Sequence, residues 1–479
     1  MIQFVVLLLI PQVVYGSSFS DSFINKEIKS FFENPKEYYQ KPIIRIGKRT
    51  PLYTSSLEKA KVRDAIILNE SKSSQKSVIR SNDRASRLFH DISIEKNIYK
   101  LNSMDISSGI TNISPWSGDY WPIFKGVLGA RYGDENFEYL DSWKDSYKFI
   151  QVHPAFSLFR TGDSLEINKL SPSEKFDFLI GKKMNLSDNL WAQGERYAQR
   201  SESGIVEAWM GICHGWAPAS YMVPRPKHAI DVIAYDGVTS IKFYPSDLKA
   251  LASLLWASTS YPTNFIGGRC RSSNPARDSM GRIIDEDCLD SNPATFFLST
   301  LNGVGIHGKS FVIDVTHDYE VWNQPIKSYR YTLFNPVDQN TVKDLEQGII
   351  DISDYKNDPF KKYRTPGTKY IVGVSMEVTY GVETSPLHAE TDAEELDEYG
   401  SIYLMFDLEL DEKFNIIGGE WYRGSFPDFL WKPSEEANAY TRQDYYVLSR
   451  PLWNGNSQID SDIKKLATAA AREGSPLAY

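Results

Sequence analysis

The sequence lacks the features that mark nucleic-acid-binding and membrane proteins. Its formal net charge is −9, and no long run of Lys and Arg occurs along its 479 residues. Phosphate binding needs a clustered basic surface, so this charge balance argues against a nucleic-acid partner. No stretch reaches the roughly 20 consecutive apolar residues that a transmembrane helix needs. We therefore expect neither nucleic-acid binding nor stable insertion into a membrane.

Cysteine and histidine are also scarce, with 3 and 7 residues respectively. None of them has the spacing of a zinc-ligand motif such as HExxH or CxxC, and this argues against a zinc-dependent enzyme. We expect no organic cofactor. Cys270 and Cys288 bracket a loop rich in Arg, Ser, Asn, Pro and Gly. A disulfide between them would stabilise the fold by roughly 3 kcal/mol, and it would leave Cys213 unpaired.

The N-terminus predicts export. An apolar run from Ile2 to Ile10 has the length of a signal-peptide core, and Val14-Tyr15-Gly16 ends on a small residue. We predict a signal peptide over residues 1–16 and a secreted protein. An unpaired cysteine in such a protein is either buried and inert or kept for its chemistry.

The rest of the chain divides near residue 115. Residues 17–115 are polar and charged, with patchy helical periodicity, and predict either a pro-segment or a helical N-terminal region that stays attached. From Ser114 the sequence becomes dense in Trp, Tyr, Gly and Pro. We predict the catalytic domain over residues 116–479.

Helices are predicted around Cys213 and strands after it, which predicts an α+β fold. Residues 246–258 have a Ser cap and an apolar face, and predict a helix. The predicted strands share apolar and β-branched or aromatic content: 229–235, 239–244, 311–315, 329–334, 369–380, 401–410 and 414–422.

Cys213 lies in the segment GIVEAWMGICHGWAPASY, among the small residues Gly211, Gly215 and Ala217. A thiolate nucleophile needs close approach of the substrate to the backbone, amide donors for an oxyanion, and the first turn of a helix to lower its pKa. Small residues around a cysteine provide these conditions. Pro218 should distort the helix that follows.

A catalytic thiol also needs a base and a group that orients the base. His307 lies among glycines just before a predicted strand, and Asn323 follows it at a spacing that suits a Cys-His-Asn arrangement. We predict Cys213, His307 and Asn323 as the catalytic residues. His317 is the alternative base, and Asp314 and Asp318 are the alternative orienting groups.

Three segments of the chain resemble one known family. The hexapeptide Val321–Ile326, VWNQPI, resembles the elicitor-peptide segment of the oomycete-type transglutaminase elicitors. The Cys213 segment is similar to that family's active-site segment, and the motifs at 418–421 and 427–431 are similar to its C-terminal signature. After the hexapeptide this chain continues KSYRY, which departs from the face that a plant receptor would read.

The resemblance implies a secreted enzyme with a core like that of papain-like cysteine peptidases. Such an enzyme joins the carboxamide of a protein Gln to a Lys amine, so its partners are protein substrates carrying Gln and Lys, and calcium assists it. The acidic run at residues 390–398 offers carboxylates for calcium but lacks the spacing of an EF-hand loop. Other hypotheses are a cysteine peptidase or deamidase using the same residues, and a non-catalytic secreted effector or adhesin.

Overall fold

The structure is a computed structural model, and parts of the chain lie outside what it describes. It describes residues 19–47, 83–138, 140, 142–181, 185–201, 204–258, 261–268, 276, 278, 282, 291–316, 320–424, 426–435 and 437. The predicted signal peptide, Cys270, Cys288, His317 and Asp318 fall outside these residues. The leader, the disulfide and the two alternative site residues therefore stay predictions.

An antiparallel sheet forms one layer of the molecule. Among the described residues it has 11 strands, in the order β1-β11-β10-β7-β6-β13-β5, with β12 on β11, β2 and β8 on β7, and β9 on β10. A separate hairpin pairs β3 with β4. The strands are β1 (Ile44–Gly47), β2 (Ser108–Ile110), β3 (Ile230–Ile233), β4 (Ser240–Phe243), β5 (Thr263–Gly267), β6 (Val312–Asp314), β7 (Asn323–Asn335), β8 (Asn340–Thr341), β9 (Ile350–Asp351), β10 (Tyr370–Gly381), β11 (Tyr399–Leu410), β12 (Ile416–Trp421) and β13 (Phe429–Pro433).

The sequences of the two central strands, β10 and β11, are nearly continuous apolar runs. The reason is that both faces of these strands are buried in the protein interior. On β11, Ile402, Leu404 and Phe406 pack into the main hydrophobic core. The alternate residues Tyr403 and Met405 pack into a second core on the opposite face. Successive side chains of a strand point to opposite faces, so a strand buried on both sides needs apolar residues at every position.

Helices form the rest of the molecule. They are α1 (Asp21–Glu33), α2 (Pro35–Tyr39), α3 (Ala85–Leu88), α4 (Ile98–Ser103), α5 (Glu135–Glu138), α6 (Trp143–Val152), α7 (Ala155–Thr161), α8 (Ser164–Asn168), α9 (Pro172–Ile180), α10 (Asn185–Arg200), α11 (Cys213–Met222), α12 (Pro245–Ser258), α13 (Pro293–Thr300) and α14 (Leu345–Gly348). Short 3-10 turns at Ile123–Lys125, Val127–Gly129 and Glu394–Leu396 and a π-helix at Leu301–Ile306 complete them. Within the described ranges, no helix has both the length and the apolarity to cross a bilayer.

Close contact between α11 and α12 depends on Gly215. A Cβ atom at that position would lie 2.1 Å from the carbonyl oxygen of Ser253 on α12, far inside van der Waals contact. Any larger residue would push the two helices apart. Since α11 begins with Cys213, this packing fixes the position of the cysteine.

Buried ion pairs join α9 to its surroundings. Arg131 and Glu174 form one pair at 2.7 Å, and Lys175 and Asp247 of α12 form another at the same distance. All four side chains are fully buried. Removing one partner of such a pair would leave an uncompensated buried charge, so these contacts specify how α9 docks.

The N-terminal residues 19–47 cover the outer face and edge of the sheet. Helix α1 packs Ile28 and Phe31 into the second core, against Tyr422 and Phe360. Strand β1 then pairs antiparallel with β11 along Gly400–Tyr403. This part of the predicted pro-segment is thus integrated with the sheet.

Two polar contacts hold the same segment in place. The guanidinium of Arg423 donates to Glu27 at 2.6 Å and to the hydroxyl of Tyr38 at 2.9 Å. From β1, Arg45 donates to the carbonyl oxygen of Val315, which follows β6.

Residues 83–110 also belong to the main hydrophobic core. Leu88, Phe89, Ile98 and Leu101 are buried in it, and β2 pairs with β7. The boundary at residue 115 and the release of a pro-segment stay predictions.

The α+β prediction is confirmed. The predicted helix at 246–258 is α12, and the seven predicted strands correspond to β3, β4, β6, β7, β10, β11 and β12. Strand β7 begins at Asn323, six positions earlier than predicted. Sequence periodicity did not identify α6 to α10 or β13.

We expect Phe31→Ala to lower the free energy of unfolding by about 3–5 kcal/mol, because it empties a fully buried site. The Phe31 ring stacks on Tyr422 with centroids 3.9 Å apart. Urea denaturation followed by Trp fluorescence measures the change. Phe156→Ala is the matched control, since Phe156 is 44% exposed and its removal should change stability by under about 0.5 kcal/mol. Equal midpoints for the two variants would show that α1 is not part of the cooperative core.

Candidate active site

Cys213 is the first residue of α11. The helix dipole places positive potential at this end, and the first-turn amides have no partners within the helix. Pro218 lies inside α11, yet the helix continues to Met222. The amides of Gly215 and Trp216 donate to the carbonyl oxygen of Ile212, at 2.9 and 3.0 Å. The cysteine thus begins a helix, and its role as a nucleophile stays a prediction.

The sulfur of Cys213 contacts two residues at the start of β7. The side-chain amide Nδ2 of Asn323 donates to Sγ across 3.5 Å. The thiol in turn lies 3.7 Å from the carbonyl oxygen of Val321, to which it donates. Cys213 is only 5% exposed, so the sulfur sits beneath the surface, between α11 and β7.

Trp431 fixes the orientation of the Asn323 side chain. The indole Nε1 of Trp431 donates to Asn323 Oδ1 at 2.8 Å. An indole N–H is a donor only, so it holds the amide oxygen on its own side and turns the NH₂ group toward the sulfur. Both residues are buried. Asn323 was predicted to orient a histidine base. In the structure its side-chain amide donates to the sulfur of Cys213 instead of contacting a histidine among the described residues.

Burial raises the pKa of the Cys213 thiol to about 11. The hydrogen bond from Asn323 opposes this rise, because it stabilises the thiolate. The negative charges of Glu383 and Asp314 add to the rise. In this conformation the resting thiol is therefore neutral at physiological pH.

Two carboxyl groups, those of Glu383 and Asp119, interact electrostatically with each other, and the charge of Glu383 also acts on the thiol. Burial raises the pKa of Glu383 to about 8, and its two oxygens each accept from Gln324 Nε2 at 2.8 Å. Burial also raises the pKa of Asp119 to about 6, against hydrogen bonds from the amides of Trp121 and Tyr120. The repulsion between the two carboxylates raises the pKa of Glu383 further.

Asp314 is fully buried at the end of β6. Its Oδ1 accepts hydrogen bonds from the amides of Thr316 and Trp322, at 3.1 Å each. Burial, with the nearby charge of Asp428, raises its pKa well above the ordinary value. Asp314 thus organises the chain between β6 and β7, just before the two residues that contact the thiol.

His307 lies at the end of the π-helix, on an exposed turn. Its carbonyl oxygen accepts from Asn112 Nδ2 at 3.3 Å, and its amide donates to Asn302 at 3.3 Å. Over the described ranges, no histidine side chain forms a hydrogen bond with Cys213. The structure therefore brings Cys213 and Asn323 together but shows no contact between His307 and either of them.

His214 follows Cys213 directly. Burial lowers the pKa of its imidazole to about 4, so this side chain is neutral at physiological pH.

Three tryptophans proposed as walls of the site, Trp209, Trp216 and Trp322, are buried in the main hydrophobic core. Trp216 and Trp322 are fully buried, and Trp209 is 7% exposed. The Trp322 ring lies 5.3 Å from the Tyr120 ring.

The acidic run at residues 390–398 does not fit a calcium site. Asp392 pairs with Arg225 at 2.9 Å and with Lys249 at 2.8 Å, and Asp397 pairs with Arg225. In the described part of the chain, no three His, Cys, Asp or Glu side chains are grouped so that they could hold a metal ion. A calcium requirement stays a prediction with no site assigned to it.

The hexapeptide Val321–Ile326 is largely buried. Trp322, Gln324 and Ile326 have no exposed surface, and only Val321 is partly accessible. Two residues of this segment, Val321 and Asn323, contact the sulfur of Cys213.

Sequence reasoning missed three residues: Trp431, which orients Asn323, Glu383, whose charge acts on the thiol, and Asp119, whose charge acts on Glu383. Trp431 lies in a motif that resembled the C-terminal signature, which was the one available signal. Glu383 and Asp119 lie in irregular segments far from Cys213 along the chain, and nothing in their local sequence marks them.

Comparisons with known proteins place the chain in a family. Its residues 85–445, more than half of the sequence, match the transglutaminase elicitor family. Among curated proteins, no sequence matches this chain. Among solved structures, the crystal structure of the GP42 transglutaminase from Phytophthora sojae has a similar fold, with a TM-score of 0.51 and 21% identity over 82% of this chain and 98% of that one. The resemblance predicted from the Cys213 segment and the hexapeptide is thereby confirmed, and the chain belongs to the transglutaminase elicitor family.

Proposed function

We propose that this protein is a secreted protein-glutamine γ-glutamyltransferase whose nucleophile is Cys213. Family membership supports a transglutaminase-like function. The observation that carries the assignment to Cys213 is its position at the N-terminus of α11, 3.5 Å from an amide that Trp431 holds in place. A merely structural cysteine needs no such donor.

The proposed reaction has two steps. The Cys213 thiolate attacks the carboxamide carbon of a protein Gln, a C–S bond forms, the C–N bond breaks, and ammonia leaves with a proton from the base. A lysine amine then attacks the thioester and gives one proton to the base, a C–N bond forms, the C–S bond breaks and the thiolate is released. Asn323 Nδ2 and the first-turn amides of α11 are the candidate donors to the oxyanion of each tetrahedral intermediate.

The base is either His307 or His317. The contacts of Cys213 favour His317, because Val321 and Asn323 follow it in the same segment between β6 and β7. The hydrogen bonds made by the backbone of His307 involve Asn112 and Asn302, whereas the thiol makes its hydrogen bonds with Val321 and Asn323. Asn323, whose oxygen is already bonded to Trp431, acts as a donor to sulfur in this proposal rather than as the orienting group for the imidazole.

The described conformation is a resting state of the proposed enzyme. A Gln side chain cannot reach a sulfur that is 5% exposed, and a neutral thiol is a weak nucleophile. Activation must therefore open the site and bring the base to the sulfur. A zymogen, with the N-terminal region as its pro-segment, fits this requirement.

We expect Cys213→Ala to abolish incorporation of a fluorescent primary amine into a glutamine-rich protein, because the variant lacks the sulfur that forms the proposed thioester. The assay compares wild type and variant, each with and without calcium and before and after limited proteolysis. Release of ammonia or peptide cleavage without amine incorporation would instead identify a deamidase or a peptidase. If no product depends on Cys213 under any of these conditions, the protein is a non-catalytic effector or adhesin.

Alkylation of Cys213 by iodoacetamide should become faster with rising pH, with a midpoint well above pH 9, because burial raises the thiol pKa to about 11. Asn323→Ala removes a donor to the thiolate, so the midpoint should rise further and the rate at pH 8 should fall roughly tenfold. Trp431→Phe should act in the same direction by freeing the amide to rotate. Cys213→Ala gives the background from other thiols. A midpoint that stays or falls in Asn323→Ala contradicts the role of this amide.

The two histidines can be separated by matched substitutions. We expect His317→Gln to reduce the rate of amine incorporation by at least about a hundredfold, since general acid–base catalysis contributes that much or more. His307→Gln should retain activity within about twofold of wild type, as expected for a surface residue with no role in the reaction. The reverse result would restore His307 as the base.

A further inference from the structure

The segment that precedes Cys213 is bonded to a second segment that lies far from it along the chain. The amide of Ile212, the residue before Cys213, donates to the carbonyl oxygen of Tyr120 at 2.7 Å. The amide of Ile123 donates to the carbonyl oxygen of Met210 at 2.9 Å. These two bonds run in opposite directions between the segments, so together they fix the position from which the chain enters α11.

The side chain of Tyr120 packs on the same segment. Its hydroxyl donates to the carbonyl oxygen of Ala208 at 2.8 Å. Gly211 leaves room for the ring, because a Cβ at that position would lie 2.6 Å from a ring carbon of Tyr120 and 2.4 Å from its carbonyl oxygen. Any side chain at Gly211 would therefore displace either Tyr120 or the segment that leads to the thiol.

The ring of Tyr120 also contacts the opposite side of the candidate active site. The ring centroids of Tyr120 and Trp322 are 5.3 Å apart, with the ring planes tilted by 59°. Trp322 lies between Val321 and Asn323, the two residues that contact the sulfur. The amide of Trp322 is held in turn by Asp314 Oδ1 at 3.1 Å. Tyr120 thus contacts both the segment before the thiol and the segment that donates to it.

The backbone beside Tyr120 has an unusual conformation. Trp121 has a φ of +49°, in the left-handed region that bulky residues rarely adopt. The carboxylate of Asp119 accepts from the amide of Trp121 at 3.0 Å and stabilises this turn. Such a conformation is costly and persists only where the surrounding structure holds it. The turn brings the carbonyl oxygen of Tyr120 to the amide of Ile212.

We propose that Tyr120 is a positioning residue of the active site, which sets the distance between the sulfur of Cys213 and the side-chain amide of Asn323. The proposal rests on the proposed function, because this amide is a candidate donor to the oxyanion of the substrate. Tyr120 acts through Ile212 on one side and through Trp322 on the other. A displacement of about 1 Å in such a geometry can lower a reaction rate roughly a hundredfold.

A double-mutant cycle with Asn323 tests this inference without requiring turnover. In the wild type, Asn323→Ala should slow alkylation of Cys213 by iodoacetamide at pH 8 roughly tenfold. In a Tyr120→Leu background the same substitution should change the rate by less than about twofold, because the amide no longer meets the sulfur. In a Tyr120→Phe background, which keeps the ring and loses only the hydroxyl, the effect should fall to about threefold.

A tenfold effect of Asn323→Ala in both Tyr120 backgrounds would overturn the proposal, because the two side chains would then act independently. Tyr120→Phe decides the question alone if Tyr120→Leu does not fold, since it removes one oxygen atom and leaves the ring in place.

Tyr329 provides the matched control. It is 3% exposed, against 8% for Tyr120, and lies where β7 pairs with β2. Its hydroxyl donates to the carbonyl oxygen of Ile106 at 2.8 Å, the length of the bond that Tyr120 makes. Tyr329→Phe removes an equivalent bond elsewhere in the core, so it should leave the tenfold effect of Asn323→Ala unchanged. An equal reduction in the Tyr329→Phe and Tyr120→Phe backgrounds would overturn the inference, since any loss of stability would then suffice.

Turnover distinguishes this inference from the proposed function. In the activated enzyme, Tyr120→Phe should lower kcat for amine incorporation roughly tenfold and leave KM for the Gln substrate within about twofold. The reason is that positioning acts on the transition state and not on substrate binding. A rise of KM with an unchanged kcat would overturn the proposal. If the activated wild type gives no product that depends on Cys213, the proposed function fails, and the alkylation cycle still decides whether Tyr120 positions the thiol.

Discussion

The contact between the first residue of α11 and the first residues of β7 joins the helical layer to the sheet, and the candidate active site is built on it. Cys213 reaches the sheet through Asn323 and Val321. Gly215 allows α11 to pack closely against α12, because a side chain at this position would overlap the carbonyl oxygen of Ser253. On the sheet side, Trp431 of β13 fixes the amide that faces the sulfur. A shift of either layer would separate the thiol from its donor, so the packing of both cores determines the geometry of the site.

Electrostatic conditions around this contact oppose the charged form of the thiol. The helix N-terminus and the Asn323 amide favour a thiolate, but burial and the carboxyl groups of Glu383 and Asp314 outweigh them. Glu383 and Asp119 would be expected to ionise less readily than surface carboxyls for the same reason. Several titratable groups with raised pKa values in one region are typical of a functional site. Burial and the charges of Glu383 and Asp314 also explain why the thiol of Cys213 is protonated, and hence weakly nucleophilic, in the described conformation.

The sequence predicted the parts of this structure that rest on local pattern. Strands β10 and β11 could be predicted because both of their faces are buried, and Cys213 could be predicted because small residues surround it. Helices α6 to α10 were not predicted. Helices α7 and α8 are short, and α9 is buried on every side and so has no single apolar stripe. The amphipathic pattern of α6 and α10 was present in the sequence and was overlooked. The Asn323–Trp431 bond joins residues 108 positions apart, and local sequence carries no sign of such a pairing. The predicted role of Asn323 in orienting the base stays a prediction. The sequence could not show that its amide contacts both the thiol and Trp431, because an amide can serve as donor or acceptor and only its partner decides which.

The N-terminal segment has a consequence for how this protein would look after processing. Helix α1 fills a core of its own, β1 extends the sheet, and Arg423 binds Glu27 and Tyr38. Residues 83–110 belong to the main core on the other side of the undescribed stretch. A single cut between Gly47 and Asp83 would therefore yield two polypeptides that remain associated and co-purify, and they would separate only in a denaturing gel. The cleaved form of such a protein would be a two-chain assembly held together by packing, strand pairing and the contacts of Arg423.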